Sequence, residues 1–94
     1  MNETYTIKTA KKMDMSCAPG FENQINKYFD QGIYDLVIDM EETAYISSAI
    51  LRVLLMAQKT VNKQNGSLVL IHVGETVMEV LDVTGFSGIL TIGD

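Results

Sequence analysis

The chain has 94 residues, enough for one compact domain with a single core and too few for two, so residues 1–94 are treated as one domain. Seven basic against twelve acidic residues give a net charge of -5, and the scattered basic residues argue against direct nucleic-acid binding. A single cysteine excludes an internal disulfide. Without a leader pattern or a long apolar run, the sequence predicts a cytoplasmic protein that does not insert into a membrane.

The first half of the chain predicts a strand, a helix and a second strand. Residues 4–9 alternate polar and apolar side chains, which is typical of a half-buried strand near a sheet edge. Ser16 is predicted to cap a helix with Pro19 in its first turn and Gly32 at its end. Its buried face is predicted to carry Phe21, Ile25, Tyr28 and Phe29. Consecutive apolar residues within 34–40 predict a strand covered on both faces.

The second half of the chain continues the alternation. Ser47 and Ser48 precede a helical pattern that runs to about Gln64. The residues predicted on its apolar face are Ile50, Leu54, Ala57 and Val61, and those on its wet face are Arg52, Lys59 and Lys63. Residues 67–73 predict another strand, followed by a short helix and a last strand over 89–92. The order β-α-β-α-β-α-β predicts an α/β fold: an open, largely parallel sheet of about four strands with three helices. Such sheets bind ligands and partners beyond the carboxyl ends of their strands, where the two serines fall.

Residues 45–51, with the sequence YISSAIL, resemble the signature of the STAS family, which includes the anti-sigma factor antagonists. In that family an apolar strand and loop lead into Asp-Ser-Ser-Gly-Leu or Ile-Ser-Ser-Ala-Gly-Leu at the start of the second helix. Three further segments are similar to the family pattern, in order along the chain: Asp14 with Ala18 and Pro19 at the first helix, Leu36 to Asp39 in the buried strand, and Val83-Thr84-Gly85-Phe86 at the third helix's end.

The resemblance implies a regulator that binds a partner protein and is not an enzyme. The family's phosphorylated serine falls on Ser48, which implies phosphorylation by an anti-sigma factor with kinase activity. The unmodified form would bind that serine kinase-like protein and free the sigma factor. The implied partner-binding residues are Ser47, Ser48, Arg52, Met56 and Asp14. No cofactor, metal or small-molecule substrate is expected.

The sequence departs from the family pattern in three respects. Ser47 stands where the family has an acidic residue. Ile50 stands where the family has glycine, so its branched side chain is expected to occupy space needed by an approaching partner backbone. The first strand of the family's N-terminal hairpin and its final helix are expected to be absent from these 94 residues.

Three residues near the candidate site can each be interpreted in two ways. Ser48 is either a helix cap or a phospho-acceptor, and if Ser47 caps the helix, Ser48 lies in the first turn with a more exposed hydroxyl. Met56 shares one line of the helix with Ser48 and Arg52, and is either an exposed interface residue or turned partly into the core, which we favour. Cys17 is interpreted as a small buried apolar residue and not as a redox group.

No set of residues predicts catalysis. His72 is alone in an apolar strand and is interpreted as structural, Asp39 ends a buried strand, and Glu41 belongs to a solvated loop. No nucleophile and base pair is apparent, and an enzyme is the lowest-ranked hypothesis. The alternative to a partner-switching regulator is a STAS subunit with a constitutive structural role in a transporter complex, as in bacterial phospholipid transporters.

Overall fold

The computed structural model describes residues 4–93. Two single turns of 3-10 helix, over 15–17 and 86–88, precede the first helix and the last strand. The other elements, in chain order, are β1 (Tyr5–Lys8), β2 (Lys12–Met13), α1 (Ala18–Asp30), β3 (Asp35–Asp39), β4 (Tyr45–Ile46), α2 (Ser48–Lys63), β5 (Ser67–Ile71), α3 (Glu75–Thr84) and β6 (Thr91–Ile92).

The main sheet confirms the predicted class of fold. Its four strands pair in parallel in the order β1-β3-β5-β6, with β1 at an edge, and the three helices connect them. The last strand is shorter than predicted, because the N–H groups of Ile89 and Leu90 donate to the Phe86 carbonyl and so belong to the preceding helical turn. A second parallel ladder joins β2 to β4, two residues each. That ladder was not predicted, since two residues are too few to show an alternating pattern.

The prediction that the central strands are covered on both faces is wrong. Leu36 and Ile38 on β3 are fully buried, and so is Leu70 on β5, whereas Val37 and Val69 between them are half-buried. The strands follow one another across the sheet in a single direction. Right-handed crossovers then place the connecting helices on one face. Continuous apolar runs alone did not indicate this one-sided arrangement.

The start of α1 differs from its prediction. Ser16 does not cap the helix: it lies in the 3-10 turn, where its backbone N–H and its hydroxyl both donate to the carboxylate of Asp14. Cys17 occupies the N-cap position and makes no side-chain capping bond, while Pro19 lies in the first turn as expected. The predicted apolar face is confirmed: Phe21 and Ile25 are buried, and Tyr28 and Phe29 pack against the core.

Two helix ends fix how α1 and α2 return to the sheet. After α1, Gly32 adopts the left-handed conformation at φ 77°, and the Ile33 N–H donates to the Tyr28 carbonyl at 3.0 Å, as a Schellman ending requires. After α2, a β-carbon on Gly66 would lie 2.1 Å from the carbonyl oxygen of Tyr34. Gly66 is therefore required by the close approach of the two backbones.

The core lies between the sheet and the helices, and α2 contributes much of it. Fully burying one aliphatic side chain of this size stabilises a fold by about 1.5–3 kcal/mol. The buried apolar residues of α2 are Ile50, Leu51, Val53, Leu54, Ala57 and Val61. One face of the helix is thereby fixed to the sheet, and the opposite face remains in solvent, as the exposed side chains of Arg52, Lys59 and Lys63 show.

Candidate functional site

The candidate site is built around the first turn of α2, at the carboxyl edge of the strands. β4 runs into α2 through Ser47, whose backbone N–H donates to the Met13 carbonyl at 2.9 Å. That bond extends the β2–β4 ladder by one residue. The short ladder therefore fixes the backbone from which the helix starts.

The two adjacent serines have different environments. Ser47 is the N-cap residue, with extended backbone (φ -95°, ψ 168°), and its carbonyl accepts from the N–H groups of Ile50 and Leu51. Its hydroxyl oxygen is buried without a hydrogen-bond partner among residues 4–93. Ser48 is the first residue of the helix and is exposed. Of the two arrangements considered from sequence, the structure has the one with Ser47 at the cap and Ser48 in the first turn.

Three exposed side chains follow one line along the outer face of α2. Ser48, Arg52 and Met56 are spaced four residues apart, so they lie one above the other. Met56 is 53% exposed, and the favoured interpretation that it turns into the core is wrong. Met78 on α3, by contrast, is half-buried and packs against the core.

A surface groove of about 360 Å³ runs between this line and the start of α1. We call it the α1–α2 groove. Ser48, Arg52 and Met56 line it on one side, and Met15 and Pro19 on the other. Met15 is 74% exposed, so each wall presents a flexible thioether side chain to solvent. Methionine adapts its shape to different partners, which suits a protein-binding surface.

Asp14 lies just before Met15, on the side of the α1–α2 groove that the start of α1 forms. It follows Met13, the ladder residue opposite Ile46, and precedes the exposed Met15. Its carboxylate accepts from the Ser16 hydroxyl at 2.6 Å and from the Ser16 N–H at 3.1 Å. These hydrogen bonds, the one from the hydroxyl foremost, lower the pKa of Asp14. Asp14 thus carries a fixed negative charge beside the groove.

Two sequence expectations near the site need correction. Ile50 is fully buried among the core residues, so its side chain does not occupy the surface that a partner would approach. The expected obstruction at this position is wrong, because the helix turns Ile50 inward and Ser48 outward. Cys17 is half-buried rather than buried, with its thiol 3.6 Å from the Lys12 carbonyl oxygen.

The structure also shows a polar pair that the sequence did not reveal. His72 lies just after β5, not within it, at a positive φ of 55°. Its Nδ1 donates to Oδ1 of Asp39 at 2.9 Å, and its side chain is 46% exposed. That hydrogen bond raises the pKa of His72 and is the largest cause of the lowered pKa of Asp39. The two residues are 33 positions apart in the chain, so no local pattern could have predicted their contact.

Within residues 4–93, no helix combines the length and the apolar composition that a membrane crossing requires.

Comparison with known proteins identifies the family. The model of the STAS domain family matches residues 2–94, essentially the whole chain. This protein therefore belongs to the STAS domain family, as the resemblance at residues 45–51 implied.

The relatives found by sequence are anti-sigma factor antagonists. The chain is 34% identical over 77 residues to BtrV of Bordetella bronchiseptica, a candidate anti-sigma factor antagonist, covering 82% of this chain and 66% of that protein. It is 31% identical over 86 residues to the anti-sigma-B factor antagonist of Bacillus subtilis, covering 92% of this chain and 78% of that protein. The chain thus spans about two thirds of the first relative's length.

The fold is shared with the anti-sigma factor antagonist SpoIIAA of Bacillus. The unphosphorylated form of that protein superimposes with a TM-score of 0.79 at 17% identity, over 100% of this chain and 82% of SpoIIAA. Its phosphorylated form gives 0.76 at 16% identity, over 100% and 86%. At this identity the likeness shows the fold alone.

Proposed function

We propose that this protein is a partner-switching regulator of the anti-sigma factor antagonist type, acting in the cytoplasm by binding and not by catalysis. Ser48 is its phospho-acceptor, and an anti-sigma factor with serine kinase activity is its partner. The observation that carries the proposal is the exposed hydroxyl of Ser48 at the first residue of α2, on the wall of an open groove. The relatives named above are anti-sigma factor antagonists, and SpoIIAA exists in a phosphorylated form.

The position of Ser48 suits a switch that leaves the fold intact. A phosphate adds about -1.5 to -2 charges at neutral pH. At the first residue of a helix, that charge meets free backbone N–H groups and the positive end of the helix dipole. Because Ser48 is exposed while Ile50, two residues on, is fully buried, the added group changes the surface and not the core.

The α1–α2 groove is the surface on which the modification would act. Met15 and Met56 provide apolar contact, whereas Arg52 and Asp14 provide charges at its margin. A kinase-type partner that covers Ser48 removes it from water. Desolvating a phosphate there costs several kcal/mol when no matching charge is supplied. The unmodified form is therefore the form that binds.

The experiment uses the purified chain, a candidate anti-sigma factor and ATP. Mass spectrometry should find one phosphate on Ser48, and none on the Ser48→Ala variant. Ser47→Ala is the matched control, because its hydroxyl is buried and its removal should leave phosphorylation intact. Calorimetric titration should then show the partner binding the unmodified chain and losing most of that affinity for the phosphorylated chain. An unmodified Ser48 beside a phosphorylated control antagonist would refute the proposal.

A second candidate function is a constitutive STAS subunit of a transporter complex. The observation that favours it is Ser47, which stands where the family pattern has an acidic residue and presents no charge. This hypothesis predicts stable co-purification with a transport ATPase and unchanged complex formation in Ser48→Asp. The partner-switching proposal predicts that Ser48→Asp weakens binding, so the same variant separates the two functions.

A further inference from the structure

A cluster of metal-ligating side chains lies at the carboxyl ends of β3 and β5. It consists of Asp39, the last residue of β3, Glu41 two residues on, and His72 just after β5. One donor atom from each lies within 4.8 Å of the others. We call these residues the Asp39–His72 cluster. None of them lines the α1–α2 groove, so the proposed partner-switching site does not use them.

The backbone holds two of the three donors in place. The Met40 N–H donates to the Ile71 carbonyl at 3.0 Å and ties the end of β3 to the end of β5. Asp39 is 8% exposed, and its Oδ1 accepts from the Glu41 N–H at 3.0 Å as well as from His72. His72 adopts the left-handed backbone, which is uncommon for residues other than glycine but is found more often in histidine, asparagine and aspartate than in the rest. The imidazole and one carboxylate therefore face each other on fixed strand ends.

The cluster lies within reach of the geometry of a zinc site. Two ligands at the tetrahedral angle around zinc, each bonded at about 2.0–2.1 Å, are themselves about 3.3–3.4 Å apart. Nδ1 of His72 and Oδ1 of Asp39 are 2.9 Å apart, so these two side chains need to separate by only about 0.4–0.5 Å. Glu41 is exposed and free to move the short distance that remains. An imidazole nitrogen with carboxylate oxygens is a donor set that suits zinc and neighbouring transition metals better than calcium or magnesium.

We propose that Asp39, Glu41 and His72 bind one divalent transition-metal ion of the zinc type, with water in the remaining positions. His72 binds through Nδ1 as the neutral tautomer. The hydrogen on Nδ1, which is donated to Asp39 in the metal-free protein, is released to solvent, and the cation takes its place. The bound ring then carries its one hydrogen on Nε2. The two carboxylates balance the charge of the ion, although the nearby Lys8 opposes it.

Titration of the metal-free chain with zinc chloride, followed by calorimetry and by two-dimensional amide NMR, tests this site. One ion per chain is expected, with signals of residues 39–42 and 71–73 perturbed first. His72→Asn and Glu41→Gln should each weaken binding by more than about tenfold, because the loss of a group that merely orients a metal ligand already costs about 10–100-fold in affinity. Asparagine is chosen because it tolerates the left-handed backbone at position 72.

Glu42→Gln is the matched control, since Glu42 neighbours Glu41 but is not among the three ligands, and it should leave the affinity unchanged. Circular dichroism establishes that each variant is folded. Three outcomes would contradict the proposed site. The chain does not bind zinc, which leaves only the His72–Asp39 ion pair, or His72→Asn binds zinc as tightly as the parent. In the third, the perturbed amide signals are spread over the other acidic residues. Each is independent of whether Ser48 is phosphorylated.

Discussion

The two ends of α2 meet the rest of the molecule in opposite ways. At the start, Ser48 and Arg52 point into solvent along an open groove. Beyond the last residue of α2, the backbone of Gly66 lies so close to Tyr34 that a β-carbon at position 66 would collide with the Tyr34 carbonyl oxygen. The first turn can therefore accept a new chemical group on its outer face, whereas the turn after the last residue cannot. The same helix thus has a surface suited to modification and a junction suited to anchoring.

The largest expected effect is on stability and comes from Ile50, which lies in the first turn of α2 but faces the core instead of the solvent. Ile50→Gly restores the residue of the family pattern and removes a fully buried side chain. We expect a loss of unfolding free energy of about 3–6 kcal/mol, combining about 2–5 for the cavity with about 1 for glycine in a helix. Urea unfolding measures it. Arg52→Gly, on the exposed face, isolates the glycine contribution, and equal losses in the two variants would contradict the burial of Ile50.

Gly66→Ala tests the other end of α2. The added β-carbon must displace the Tyr34 backbone, and overpacking of this kind costs about 1–3 kcal/mol of unfolding free energy. Gly20→Ala is the control, because a β-carbon there meets nothing within 4 Å and alanine favours the helix. Chemical denaturation of both variants should show Gly66→Ala destabilised and Gly20→Ala unchanged or stabilised. A Gly66→Ala protein as stable as the parent would contradict this prediction, since the Tyr34 backbone would then shift at little cost in free energy.

The difference between these two ends also marks what the sequence could predict. The start of α2 could be predicted because a sixteen-residue helix with an apolar period begins at the second of two adjacent serines. The same apolar period places Ile50 on the buried face of α2, as the structure has it, and only the expectation that its side chain obstructs a partner is wrong. The exposure of Met56 was predicted wrongly because an apolar side chain does not by itself indicate burial. Contacts between distant segments, such as His72 with Asp39, depend on strand register and leave no local pattern.

A smaller effect concerns Arg52, one helical turn after Ser48. If Ser48 carries phosphate, the guanidinium should stabilise its dianionic form by about 0.2–0.5 kcal/mol, which lowers the second pKa of the phosphate by about 0.15–0.4. No acidic side chain among residues 4–93 forms an ion pair with Arg52 and competes for it. Phosphorus NMR titration of chain carrying phosphoserine at position 48 measures that pKa. Arg52→Ala should raise it, while Lys59→Ala, further along the helix, should leave it unchanged.

The smallest expected effect lies across the groove, at Asp14. Because the Ser16 hydroxyl lowers the pKa of Asp14, Ser16→Ala should move that pKa back toward 3.8. A carboxyl group whose pKa is lowered by folding contributes stability above its unfolded pKa and loses it as pH falls through the folded value. The variant should therefore lose stability at neutral pH relative to the parent, and the difference should vanish in acid. Carbon NMR titration of the carboxyl group measures the pKa, with Ser87→Ala as an unrelated control.

The hydrogen bond from the Ser47 N–H to the Met13 carbonyl joins the segments on either side of the groove at their shared base. Because Met13 and Ile46 also pair as neighbouring strand residues, the two walls are held at a set separation before any partner arrives. When a partner docks there, the groove needs little further ordering, so binding costs little conformational entropy at this surface. Its discrimination between the two forms of Ser48 would then come from charge and contact, not from the cost of assembling the surface.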